Sequence, residues 1–215
     1  METRSDQQRK IAQACAHQDR AGVEALLQHF VFKTGDLSKA YLQCMGHAQS
    51  DIAQLLAATA PPSWNTLESL CFNTAQGCNT TMFDWTMEQM ERLNTNGNKD
   101  RRKSFQRVCT SAALVALRAP KGHAAALKIL QRALPHTPVA LHPHLCLLAI
   151  QHHQKSAFAL LINHTDPTAV RHLLEQTPLP TDQKQWAEAA LNNHQNQVLR
   201  QAVDQSTHQS SKRKM

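Results

Sequence analysis

Apolar residues along this chain recur three and four positions apart in short blocks, with polar turns between the blocks. Val23, Leu26 and Leu27 form one such block, and Ile52, Leu55 and Leu56 form the next. Ala126, Ile129 and Leu130 repeat the pattern, followed by Ala157, Leu160 and Leu161. That spacing is the period of a helix with one buried face. Strand-like alternation and runs of β-branched residues are absent. The pattern predicts helices over 6–17, 20–30, 37–46, 50–58, 64–74, 80–93, 103–118, 122–133, 143–151, 154–163, 167–175, 181–192 and 195–205. Pro61, Pro62, Pro120, Pro135, Pro143, Pro167 and Pro178 punctuate them, because proline lacks the amide that a helix interior needs. Residues 94–98, Asn-Thr-Asn-Gly-Asn, form the clearest loop. The Ser-, Gln- and Lys-rich end is expected to fray. The expected organisation is one helical domain over 1–206 and a disordered basic tail over 207–215.

The blocks repeat. Aligning the paired-leucine positions gives Leu26, Leu55, Trp85, Ile129, Leu160 and Gln201, at intervals of 29, 30, 44, 31 and 41 residues. The two long intervals contain polar stretches near 90–103 and 165–183, which a stack of repeats accommodates as loops. Cysteines follow the same frame. Cys15 and Cys44 each lie 11 residues before their anchor, and Cys71 and Cys146 each lie 14 before theirs. Cysteine at such positions serves as a small buried hydrophobe.

The segment from Leu145 to Ile162 reads as a short apolar helix, a polar turn and a second helix ending in paired leucines, followed by Asp166-Pro167. With Gly122-His123 opening another second helix, this resembles the ankyrin repeat. The resemblance spans roughly residues 10–205 and departs from the family in one respect. The Thr-Pro-Leu-His signature of the first helix is absent, and the best copy reads His144-Leu-Cys-Leu147 there. Helical hairpins of another α-solenoid type are the alternative. Short degenerate chains of this kind, rich in Gln, Asn and His, also resemble ankyrin-like proteins of intracellular bacterial pathogens. That likeness implies an effector acting on a host factor.

Composition agrees with helix and adds little chemistry. Of 215 residues, 41% are hydrophobic and 18% charged, enough to bury a core. No apolar run approaches the roughly 20 residues of a membrane helix, so no membrane span is expected. The polar first ten residues lack the apolar segment of a secretory signal. A cytoplasmic location is expected, with delivery by a specialised secretion system as the route that leaves no such mark. Six cysteines without a secretory context read as free thiols.

The net charge of +7 favours acidic partners or nucleic acid. Its densest clusters are Lys99, Arg101, Arg102, Lys103 and Arg107, and Lys212-Arg213-Lys214. No aromatic interleaving or recognition helix accompanies them.

Thirteen histidines include His142, His144, His152 and His153 close to Cys146, but no four-ligand zinc spacing appears. There is no glycine-rich phosphate loop, no local nucleophile signature and no paired-carboxylate motif. No cofactor, metal or enzymatic activity is therefore expected. Asn79-Thr-Thr and Asn163-His-Thr match the glycosylation pattern by coincidence. Trp64, after Pro61-Pro62-Ser63, reads as core, or as a hot spot if exposed.

The ankyrin resemblance implies binding of a partner protein on the concave face. It makes Tyr41, Arg118, His144 and Trp186 the candidate contacts, with Arg101, Arg102 and Lys103 on a charged insert adding electrostatic steering. A basic nucleic-acid-binding helical protein and an enzyme with a dispersed Cys/His site are the alternatives.

Overall fold

A computed structural model describes residues 2–46, 49–94, 99–119 and 124–212. Among them every regular element is helical. The α-helices are α1 Arg4–Ala16, α2 Arg20–His29, α3 Ser38–Gly46, α4 Ser50–Thr59, α5 Trp64–Gln76, α6 Thr80–Asn94, α7 Lys99–Arg118, α8 Ala124–Ala133, α9 His142–Gln151, α10 Lys155–Ile162, α11 Pro167–Gln176 and α12 Thr181–Lys212. Two single 3-10 turns, Leu134–His136 and Val139–Leu141, precede α9. No described helix is long and apolar enough to cross a membrane.

Local sequence sets the helix starts. Thr3 caps α1 by accepting the Asp6 amide at 3.2 Å. Ser63, after two prolines, accepts the Thr66 amide at 3.2 Å to start α5. Asp166 accepts the Thr168 amide at 2.9 Å, with Pro167 in the first turn of α11. Each side chain satisfies an amide that the helix itself leaves without a partner.

The chain divides into two compact units, residues 1–119 with 123–137, and residues 120–122 with 138–215. In the first unit α1 packs on α3, α3 on α5 and α5 on α7. The even helices α2, α4, α6 and α8 pack in a second row, each also touching the odd helix before it. Four consecutive hairpins therefore stack in chain order.

Their turns repeat at thirty-residue steps. The amides of Asp19, Gln49 and Asn79 donate to the carbonyls of Ala14, Cys44 and Thr74 at 2.9, 3.1 and 2.9 Å. Gln18 and Cys78 each precede that amide with φ of 58° and 52°, in the left-handed region that residues with a Cβ enter at a cost. The second unit uses the same turn, with His153 at φ 54° and the Gln154 amide on Ala149 at 2.8 Å.

The residues three before the first five anchors, Val23, Ile52, Met82, Ala126 and Ala157, are all buried. Each of five odd helices also carries one buried cysteine: Cys15, Cys44, Cys71, Cys109 and Cys146. Polar ties join neighbouring hairpins. Asn79 donates from Nδ2 to the Met45 carbonyl at 2.7 Å, and the Ser38 and Thr66 hydroxyls lie 2.9 Å apart.

In the second unit α9 packs on α10 and α11, and α12 packs on all three. Phe158 and Trp186 meet with ring centroids 5.2 Å apart, and Leu191 is fully buried.

Four expectations are corrected. The helices expected over 181–192 and 195–205 are one helix, α12, because Asn192-Asn193-His194 includes neither glycine nor proline to stop it. Gln201, expected as the sixth anchor, is exposed on that helix. Residues 207–212, expected in a disordered tail, continue α12 without a glycine or proline to end it; residues 213–215 lie outside the described residues. The basic stretch expected as an insertion loop is the first turns of α7, a run of Lys and Arg with good helix propensity. The Gly122-His123 opening and residues 95–98 of the expected loop also lie outside the described residues.

Candidate binding surface

The solvent side of the odd helices in the first unit is a sheet of side-chain rows. Arg9 and Gln13 stand exposed on α1, and Lys39 and Gln43 on α3. Asn65, Ser69, Phe72 and Gln76 follow on α5, then Lys103, Arg107 and Arg118 on α7. Arg9 to Lys39 and Gln13 to Gln43 are both steps of thirty residues, so the stack sets like side chains side by side. A shallow groove of about 280 Å³ runs between α1 and α3, lined by Gln8, Arg9, Gln13, Lys39 and Gln43 among others.

Phe72 is the aromatic member of these rows, 43% exposed. It follows Trp64 and Glu68 at four-residue steps along α5. Trp64 donates from Nε1 to Glu68 Oε1 at 2.9 Å and to Ser104 Oγ at 3.3 Å. The Ser104 hydroxyl also donates to Glu68, and Arg107 Nη2 sits 3.4 Å from the same carboxylate. This network ties α5 to α7 beside Phe72 and fixes the ground around it.

Charge divides the two rows. The four odd helices carry ten Lys and Arg against three Asp and Glu. The four even helices carry four against five. On the even side Arg20 bridges Glu24 at 3.0 Å and Asp51 at 3.5 Å, and Glu91 holds Arg132 at 2.7 Å and His136 at 2.9 Å. Asp84 there is raised above the usual carboxylate range, chiefly by burial, with nearby Glu88 adding to the shift.

The residues expected to make contacts fare differently. Tyr41 is 1% exposed. Its hydroxyl donates to the Ala60 carbonyl at 2.8 Å and its ring stacks on Trp85 at 5.8 Å, so it is a core residue and not a contact. Burial pushes its phenol up. Arg102, Lys103 and Arg118 are exposed on α7 and Arg101 is half-buried. Successive residues of a helix turn by about 100°, which puts Lys103, Arg107 and Arg118 on one side and Arg101 and Arg102 on others. In the second unit His144 is exposed on the first turn of α9. Trp186 is half-buried between Phe158 and Lys155, whose Nζ lies 5.8 Å from the ring centroid. The sequence reading missed Phe72. The available signal was a large apolar side chain among Asn65, Ser69 and Gln76 on the polar stripe of its helix.

Among the described residues, five buried thiols and His142 are engaged in packing or hydrogen bonds. Cys71 and Cys109 lie 4.0 and 3.9 Å from the Met87 sulfur. Burial pushes the Cys71 and Cys146 thiols up to about 12 and also raises Cys109. The Cys44 thiol is raised by its hydrogen bond to Cys15 and by burial. Neutral, sealed thiols are poor nucleophiles. His142 Nδ1 lies 3.0 Å from the His164 carbonyl and His153 Nε2 lies 2.8 Å from Gln183 Nε2. Among the described residues no three His, Cys, Asp or Glu side chains gather as a metal-ligand set.

Neither a family model, a curated protein nor a solved structure matches this chain.

Proposed function

We propose that the chain is a non-enzymatic protein-binding module, an ankyrin-like helical solenoid that takes a partner protein on the odd-helix rows of its first unit. One observation carries the reading. Phe72 stands open among amide, hydroxyl and basic side chains, on helices whose other large apolar groups are packed. An open aromatic ringed by polar groups is the common composition of a binding hot spot. The backbone beneath it is held by helix stacking and by the Trp64–Glu68–Ser104 network, so little ordering cost attends binding.

The test is co-purification of partners with the full chain from cells that naturally contain it. Phe72→Glu is expected to lose a partner that wild type retains, while Glu88→Lys on the even side keeps it. Loss with Glu88→Lys and retention with Phe72→Glu would reverse the assignment.

A further inference from the structure

We infer that the partner segment is acidic, with one apolar residue seated against Phe72, and that it crosses the odd helices of the first unit from α1 towards α7. This rests on the protein-binding reading above and adds the chemistry of the bound segment. The argument is charge complementarity. The chain's net charge of +7 is not spread evenly: the odd helices of this unit carry ten basic residues against three acidic ones, and the even helices are close to balance. Of the ten, Arg9, Lys39, Lys103, Arg107 and Arg118 stand on the exposed rows, whereas Arg4 and Lys10 are paired with Asp36 and Glu2.

Acidic side chains on these helices are engaged locally. Asp6 is bonded to Arg9 at 3.0 Å, and Glu68 receives Trp64 and Ser104. Lys39 and Lys103 stand exposed on either side of Phe72's helix, and Arg107 is 74% exposed despite its long contact with Glu68. A bound carboxylate near any of these gains attraction that an approaching lysine or arginine would lose. Between the charges lie Gln13, Gln43, Asn65, Gln76 and Ser69, which can both donate to and accept from an extended backbone. The groove between α1 and α3, lined by Arg9 and Lys39, receives a side chain of the segment where its crossing starts.

A nucleic acid shares the negative charge but fits the rows less well. Single strands are held by stacking successive bases on several aromatic side chains, and these rows offer Phe72 alone. Amide side chains between widely set cations suit a polypeptide better than a phosphate backbone.

The experiment selects from a displayed library of random 16-residue peptides against the full chain. Bound peptides are then mapped by backbone amide NMR shifts, and a 20-nucleotide single-stranded DNA serves as competitor. The expected result is enrichment of Asp and Glu around one aliphatic or aromatic residue, with shifts on α1, α3, α5 and α7. The Lys39→Glu/Arg107→Glu double variant should weaken the selected peptides about tenfold or more. Both positions are exposed, and a circular dichroism melt confirms that the variant folds. Neutral or basic peptides that still map to these rows would overturn the acidic partner and leave the surface standing. Peptides mapping to the even helices would overturn both. DNA that binds these rows more tightly than any selected peptide would overturn the polypeptide reading in favour of a nucleic acid.

Discussion

Asn79 joins two hairpins with one side chain, and removing it tests whether the repeated turn holds the stack together. Its Oδ1 accepts the Met82 amide at 3.1 Å while its Nδ2 donates to the Met45 carbonyl at 2.7 Å. Truncating a helix cap costs about 1 kcal/mol. Leaving a half-buried carbonyl without its donor costs about another 1 kcal/mol. Asn79→Ala should therefore destabilise the chain by about 2 kcal/mol, a fall in Tm of roughly 4–8 °C at this chain length. Asp19→Ala, at the equivalent turn one end of the stack earlier, removes a cap on the Gly22 amide at 2.9 Å and should cost about 1 kcal/mol.

Asn79→Asp separates the two effects, because a carboxylate still caps but cannot donate to Met45. It should fall between wild type and Asn79→Ala. Urea unfolding followed by helix circular dichroism reads all three variants, with equal m-values required for comparison. If Asn79→Asp matches wild type, or Asn79→Ala costs no more than Asp19→Ala, the tie to Met45 contributes nothing and the argument fails.

Three further outcomes are expected. Gln18→Gly should stabilise the chain by about 0.5–1 kcal/mol, since Gln18 is exposed at φ 58° and glycine occupies that region freely; a loss on urea unfolding would show that the turn does not need the left-handed residue. Asp36 is held below the usual carboxylate range first by Arg4, then by the Lys33 amide and Gln8. A depressed carboxylate stabilises above its unfolded value and loses that contribution as pH falls through its folded one, so Asp36→Asn should cost about 1 kcal/mol at pH 7 and progressively less below about pH 4; a gap between variant and wild type that is unchanged at pH 2.5 would contradict it. Of the six cysteines only Cys78 is not fully buried, so Ellman's reagent should find one fast thiol in native protein and six in denaturant, and two or more fast native thiols would contradict the packing.

Much of the fold was legible because its signals are local. Pro62 and Ser63 announce α5, Thr3 announces α1 and Asp166-Pro167 announces α11, each within a few residues of the helix it starts. What failed is the information that lies elsewhere in the chain. Tyr41 looks like a contact until Ala60 and Trp85, 19 and 44 residues on, close over it. Asn192-Asn193-His194 reads as a break by composition, but no backbone need interrupts the helix there. The basic run near 101–103 reads as a solvated insert because charge hides helix propensity. Phe72 was passed over for a related reason, since a single aromatic on a polar stripe stands out only when the stripe is known to face solvent.

The central claim is that a partner protein lies on the odd-helix rows around Phe72. Its most direct measurement places the photo-cross-linker p-benzoylphenylalanine at position 72 or at position 88 of the full chain. The adducts formed in cells that naturally contain the protein are then identified by mass spectrometry. A discrete protein adduct from position 72, lacking from position 88, is the predicted result. Adducts from position 88 with none from position 72 would place binding on the other face and contradict the claim.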